Sequence, residues 1–345
     1  MRRRAESSIS TNPLIPAKAG IQEPQSPARA ALGPGIRRDE RMKAEPFEGA
    51  ASNPDRRRLV LGGVCLTTPL LSAPALAEQR SHAFRAIEAR TGGRLGLWAG
   101  VAGRGPAVAW RADERFLMCS TFKALAVSAV LAQVDHGQAR LDRWIAYGKA
   151  DLLDYAPVTT DHLAKGGMTL GDLCAAAVEL SDNTAANLIL ASLGGPAGVT
   201  GFIRRLGDSV TRLDRTEPTL NRPAPGGLDT TTPASMTGLW RRLVLGDALS
   251  PSARAQLNAW LAACQTGVGR LPSILPKGWR IGHKTGTGST TVGDVAVLTP
   301  PTGAPILIAV YLDGAKGSDD QKDAAIAEAG RAALALLAPA FLAPV

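Results

Sequence analysis

A chain of 345 residues, 45% hydrophobic, can bury one large core or two intimate ones. Its formal charge of +9 is unevenly spread: the first 77 residues hold 12 Lys and Arg against 7 Asp and Glu, which leaves the remainder only mildly basic. No Lys/Arg cluster carries interleaved aromatics, and the four histidines (His82, His136, His162, His283) lack ligand spacing, so nucleic-acid binding and a zinc site are set aside.

Residues 1–77 read as an address, not as fold. Positions 1–41 are rich in Pro, Arg and Ser without periodicity, the composition of a disordered extension, and Met42 is a second candidate start. Arg56-Arg57-Arg58 precede an apolar run from Leu59 to Leu71 that is too short to span a bilayer comfortably. Ala75-Leu76-Ala77 then forms an A-x-A cleavage pattern. Paired arginines ahead of Leu59-Val60-Leu61 favour twin-arginine export over the ordinary secretory route. The expectation is an exported, periplasmic or secreted protein beginning at Glu78, with no stable membrane association. Cys65 follows Val64, a poor lipoprotein site. Cleavage leaves Cys119, Cys174 and Cys264, an odd number expected to be free and mostly buried.

In the mature chain, segments 95–102 and 107–110 predict a strand pair around Gly103-Arg104-Gly105. Ser120-Thr121-Phe122-Lys123 then opens a run that is apolar or small out to Val134, apart from Ser128 and Gln133. In a helix starting here, Ser120 and Lys123 share a face, and the serine meets free N–H groups that favour developing negative charge. A buried ammonium is costly unless it is paired or gives up its proton, so burial would let Lys123 accept the proton of Ser120. A capping serine with a snorkelling lysine would give the same letters.

Thr169, with Asp172 three residues on, predicts a helix start. Ser181-Asp182-Asn183 falls between two helical patterns; it caps a helix, or it offers a hydroxyl to relay a proton and an amide to hold a substrate. In Glu217-Pro218-Thr219-Leu220-Asn221 one helical turn would bring carboxylate and amide together, a pair able to hold and deprotonate a water. Arg215 and Asp229 could pair across the neck of that compact loop. Thr232-Pro233 and Ser250-Pro251 each place an N-cap before a proline at the first helical position.

Segments 280–285, 291–298 and 306–312 predict three more strands, and a last helix covers 319–337. Lys284-Thr285-Gly286-Thr287-Gly288 sets a cation and hydroxyls on the first of these strands, suited to an anionic substrate, with glycines that allow close backbone approach. Strands at both ends with helices between predict an α/β (α+β) fold: a sheet lobe from about 78–115 and 265–345, and a helical lobe from about 116–264.

Taken together and in this order, Ser120-x-x-Lys123, Ser181-Asp182-Asn183, the stretch RLDRTEPTLN (212–221) and Lys284-Thr285-Gly286 resemble the class A serine β-lactamases. The resemblance covers about 85–337 and includes SDNTAANLIL (181–190). It implies the serine β-lactamase/penicillin-binding-protein-like fold and hydrolysis of β-lactam antibiotics through a serine acyl-enzyme. It also implies a monomer with a small-molecule substrate and neither cofactor nor metal. By the same resemblance Ser120 is the nucleophile, and Lys123, or Glu217 through a water, takes its proton. Ser181 passes a proton to the leaving nitrogen, and the backbone N–H groups of Ser120 and Thr287 form an oxyanion hole. Glu217 and Asn221 hold the water that clears the ester. Asn183 binds the substrate's side-chain amide, while Lys284, Thr285 and Thr287, around Gly286, face its carboxylate. Tyr155 stands at the rim.

Three departures accompany the resemblance. Gly293 falls where many members carry a strand arginine, and Arg270 resembles the alternative arginine of other members. Cys119 resembles a cysteine that carbapenem-hydrolysing members pair with one after K-T-G; Gly288 fills that slot, so no disulfide is expected and carbapenem hydrolysis is not supported. His283 stands where aspartate is common, and little is expected of it. A penicillin-binding transpeptidase shares the first three motifs but would stay acylated, and a β-lactam sensor would be tethered to a membrane partner. Glu217 with Asn221 favours the hydrolase.

Overall fold

The computed structural model describes residues 73–105 and 107–342, all within the compact unit that begins at Thr68. The expected extension, the arginine run, the 59–71 apolar segment, Cys65 and both candidate starts lie outside the described residues. The first element, α1 (Ala73–Thr91), was not foreseen, and it runs through the expected cleavage boundary after Ala77.

Two strands follow, β1 (Arg94–Val101) and β2 (Val108–Trp110). The chain then leaves the sheet. Strand β3 (Phe116–Leu117) and a 3₁₀ turn at Cys119–Thr121 lead into α2 (Phe122–Asp135). Next come β4 (Trp144–Ala146), α3 (Pro157–Asp161), β5 (Gly167–Thr169), α4 (Leu170–Glu179), α5 (Asn183–Ser192) and α6 (Pro196–Arg205). After a long loop, β6 (Thr230–Thr231), α7 (Pro233–Trp240) and α8 (Pro251–Ala262) complete this excursion. The chain returns as β7 (Arg280–Thr287), β8 (Thr291–Thr299) and β9 (Ile306–Asp313), and α9 (Asp319–Leu342) closes it.

The main sheet is antiparallel in the order β2-β1-β9-β8-β7. Pairing of β1 with β9 makes it a sheet from both ends of the chain, as expected, with the helical stretch inserted between. Local chemistry sets the helix starts: the hydroxyls of Thr169, Thr232 and Ser250 accept from the backbone N–H groups of Asp172, Ser235 and Ala253. Each such cap contributes about 1 kcal/mol.

One face of the sheet packs on α1 and α9 through Phe84, Ile87, Leu97, Val310 and Ile326. Its other face meets the helical lobe through Val295, Val297 and Tyr311. At the centre of that lobe α2 is buried from Phe122 to Leu131, Lys123 included. A helix apolar all round belongs in such a place. The head of α2 therefore lies against the edge strand β7, where the two lobes meet. Among the described residues no single helix is long and apolar enough to cross a membrane.

Candidate active site

Ser120 sits in the 3₁₀ turn ahead of α2, not inside the helix itself. The preceding residue, Cys119, has φ of +44°, and a non-glycine residue held there stores about 1–3 kcal/mol of strain. The turn is tied down by Met118 N–H to Asp229 O (3.0 Å) and by the Thr121 hydroxyl to Met118 O (2.7 Å). Lys123 enters from the first turn of α2 with none of its surface exposed. Its Nζ donates to Asn183 Oδ1 (2.6 Å), Ser181 O (2.7 Å) and Ser181 Oγ (3.3 Å). It also stands 3.2 Å from Glu217 Oε1. Burial lowers its proton affinity, and the Glu217 charge opposes that.

The turn between α4 and α5 supplies Ser181 (φ +58°), Asp182 and Asn183. Asp182 is fully buried and purely structural. It caps α5 through Ala185 N–H (2.8 Å) and accepts from Val158 N–H, Thr159 N–H and the Thr159 hydroxyl. A buried carboxylate with that many donors is satisfied, and it locks its two neighbours toward the cleft. Asn183 N–H also bonds to the carbonyl of Tyr155, whose side chain stays 52% exposed at the rim.

The third wall is the loop between Arg215 and Asp229, closed at its neck by their ion pair at 2.5 Å, as expected. Glu217 and Asn221 do meet, at 2.5 Å between Nδ2 and Oε2, but through a 3₁₀ turn at Thr219–Asn221 after a cis Glu217–Pro218 bond, not through an α-turn. Glu217 is 3% exposed, and its Oε1 accepts from Ser120 Oγ at 3.4 Å. The Oδ1 atom of Asn221 is buried with no hydrogen-bond partner. The sequence reading missed Asn187, which clamps the backbone of Glu217 at both ends: Glu217 N–H to Oδ1 (2.9 Å) and Nδ2 to Glu217 O (3.0 Å). Its position four residues after Asn183, on one face of α5, was the available signal.

The fourth wall is β7, a sheet edge. Gly288 N–H bonds inward to Thr291 O, so strand alternation turns the Thr287 N–H outward over the cleft. Gly286 permits the close approach: a Cβ there would lie 2.7 Å from Met118 O and 3.1 Å from Cys119 Cβ. Lys284, fully buried, donates to Ser181 Oγ (3.0 Å) and Thr285 O (3.1 Å). Burial is the main cause that brings it down to about 8.

Arg270, 5% exposed, reaches the same strand from the loop after α8. It donates to Thr287 Oγ1 and to the carbonyls of Gly286 and Gly293, all at 2.9 Å, and pairs with Asp323 at 2.6 Å. The place assigned to Gly293 needs correction. Thr287 pairs with Val292, while Gly293 pairs with Gly286 and turns its Cα toward the ring of Tyr311. Directly paired residues share a face, so Val292 occupies the strand position facing the way Thr287 does, and neither residue is a cation. Cys119 is free, with its sulfur against Gly288, where a Cβ would come within 2.6 Å.

Ser120, Tyr155, Ser181, Asn183, Asn221, Arg270, Thr285 and Thr287 line one cavity of about 380 Å³, with Lys123, Glu217 and Lys284 packed behind Ser120 and Ser181. Thr266, also on its wall, was not foreseen; its hydroxyl lies 2.5 Å from that of Thr285. A larger cavity of about 590 Å³ between α2 and α6 contains none of these groups.

A model of the β-lactamase enzyme family matches residues 79–337, a range that contains every group described above. Among solved structures, the class A β-lactamase of the last common ancestor of Gram-negative bacteria is 54% identical, over 76% of this chain and 98% of that one, with a TM-score of 0.72. Another ancestral class A β-lactamase is 55% identical, over 76% and 100% of the two chains, also at 0.72. A β-lactamase from Burkholderia vietnamiensis is 45% identical, over 75% and 96%, at 0.73.

Proposed function

We propose how this chain, which belongs to the class A β-lactamases, opens the β-lactam ring of penicillin- and cephalosporin-type antibiotics and so confers resistance to them. One observation carries the reading. The Ser120 hydroxyl and the Asn221 amide converge on a single buried carboxylate, Glu217, which also faces Lys123.

The substrate carboxylate lies against Lys284, Thr285 and Thr287, with Arg270 behind Thr287, and Asn183 takes the side-chain amide. The lactam oxygen sits between the backbone N–H groups of Ser120 and Thr287, each worth about 3–4 kcal/mol to the developing oxyanion. Ser120 Oγ attacks the carbonyl. Its proton passes to the Lys123–Glu217 pair, whose contact atom, Oε1, also accepts from Ser120 Oγ. The C–N bond breaks as Ser181 Oγ, bonded to both lysines, passes a proton to the nitrogen. Water held between Glu217 and the open acceptor of Asn221 then attacks the ester, with Glu217 as general base. Ser120 is regenerated.

A trapped transpeptidase or a sensor has no use for that last arrangement. The discriminating assay mixes purified protein with a large excess of benzylpenicillin or a chromogenic cephalosporin. Continuous conversion to ring-opened product is expected; release of one equivalent followed by arrest would refute hydrolysis.

The mature chain acts as a monomer in the periplasm, exported by the twin-arginine route. Arg56, Arg57 and the Ala75-Leu76-Ala77 pattern support the export route. Replacing Arg56 and Arg57 by lysine is expected to hold the protein in the cytoplasm on cell fractionation. Undiminished export would point to the ordinary secretory route.

A further inference from the structure

Behind the carboxylate side of the cleft stands a second group of reactive side chains that the hydrolytic cycle does not use. Cys264 lies just beyond α8 and is partly exposed. Its sulfur is 3.4 Å from Thr266 Oγ1, and the imidazole of His283 lies close enough to act on its ionisation. The other side of that ring, Nδ1, is 3.0 Å from Asp294 Oδ1, with both residues buried. Register explains the meeting. Asp294 pairs with Thr285, so His283, two residues along β7, lies diagonally across from it on the same face. Sulfur, imidazole and carboxylate are therefore grouped, with His283 oriented by Asp294 and acting on Cys264, the set of groups found in activated-thiol sites.

The surrounding charges act in the same direction. Burial works against a thiolate at Cys264, yet the hydrogen bond from His283 and the Lys284 charge prevail and bring it down to about 7. Burial likewise disfavours a charged His283, but Asp294 holds it up at about 10. The other two described cysteines go the opposite way: burial pushes Cys119 up to about 12 and Cys174 higher still.

We infer that Cys264 is a thiol–disulfide exchange site whose occupation switches the carboxylate side of the cleft. The Cys264 thiolate attacks one sulfur of a small disulfide. A new S–S bond forms as the old one breaks, and the departing thiolate leaves with the electron pair and takes a proton from solvent or from His283. A free thiol reverses the step with the same balance. The link to hydrolysis runs through Thr266, which touches the Cys264 sulfur on one side and the Thr285 hydroxyl, 2.5 Å away, on the other. A group added to the sulfur displaces Thr266 and removes that bond. This link rests on the proposed role of Thr285; the exchange itself does not.

The test treats the purified full chain with 5,5′-dithiobis(2-nitrobenzoate) at pH 6.5. It follows released thiolate, maps the label by peptide mass, and measures penicillin hydrolysis on the same samples. A thiol of pKa near 7 is about one-quarter ionised at that pH against roughly 1% for an ordinary one. The peptide carrying Cys264 is expected to label at least ~10-fold faster than those carrying Cys119 and Cys174, with Cys65 resolved separately in the map. Hydrolysis is expected to fall at least ~5-fold with labelling and to return on reduction. Cys264→Ser is expected to hydrolyse normally and resist inhibition. His283→Asn is expected to slow exchange about 10-fold at pH 6.5 and converge with the native rate above pH 9, which a merely structural histidine would not do. Labelling of Cys264 only after denaturation would overturn the exchange site. Full hydrolysis by the labelled protein would overturn the switch.

Discussion

Two fully buried lysines flank Ser181 and share its hydroxyl, Lys123 at 3.3 Å and Lys284 at 3.0 Å, yet their surroundings differ. Lys123 also faces the Glu217 carboxylate at 3.2 Å and the Asn183 carbonyl at 2.6 Å. Lys284 has a hydroxyl and a backbone carbonyl. The first lysine closes an internal ion pair, which suits the proton transfer proposed for it. The second has no carboxylate in direct contact among the described residues and faces only the more distant negative charges of Cys264, Asp294 and Glu217. Burying two cations side by side is costly; Lys123 has its counter-ion in contact, whereas the anions that act on Lys284 lie further off.

Deleting each lysine should therefore move stability in opposite directions. Lys123→Ala leaves Glu217 buried and unpaired, a loss of about 3–5 kcal/mol by denaturant titration, with acylation slowed ~10²–10⁴-fold in stopped-flow. Lys284→Ala removes a buried cation with no carboxylate in hydrogen-bond contact, so its stability should hold or rise. Its kcat/KM toward penicillins should fall about 10²-fold, the equivalent of about 2.7 kcal/mol. If Lys284→Ala is the less stable of the two variants, the contrast fails.

The same contrast carries a pH signature. Burial brings Lys284 down to about 8, below the unfolded value near 10.4. Between those limits the unfolded chain binds more protons, so the cost of burying the charge is present below pH 8 and is relieved as pH rises. Native stability should gain from this residue between pH 8 and about 10.4, while KM for carboxylate-bearing substrates should rise over the same window. Both trends should weaken in Lys284→Ala. The smallest effect belongs to Arg270→Ala. Arg270 reaches the carboxylate side through Thr287 and is already paired with Asp323, so a loss near 10-fold in kcat/KM is expected, and an unchanged value would remove it from the site.

What the sequence revealed was what short-range chemistry decides. Thr169, Thr232 and Ser250 announce their helices because a cap needs only three residues, and β7 to β9 announce themselves through short runs rich in apolar and β-branched residues and the turns between them. The candidate site was legible because its side chains arrive in compact motifs. What stayed hidden depends on distant segments. Asn187 matters only because the 215–229 loop returns to α5. The face that Gly293 turns away from the cleft follows from β7–β8 register, which no single strand reveals. His283 looked idle in sequence because Asp294 and Cys264 reach it from another strand and from the end of α8. The Glu217–Asn221 contact was foreseen but not its backbone, since spacing alone does not separate an α-turn from a 3₁₀ turn.

The hydrolytic cycle stands on Glu217 clearing an ester from Ser120, and intact-mass spectrometry of Glu217→Gln after brief exposure to benzylpenicillin addresses that directly. The expected result is one penicilloyl group, mapped to Ser120, persisting in the variant long after the native protein has returned to its unmodified mass. A variant that sheds the adduct as quickly as the native protein would contradict the assignment of Glu217 as the base that delivers water.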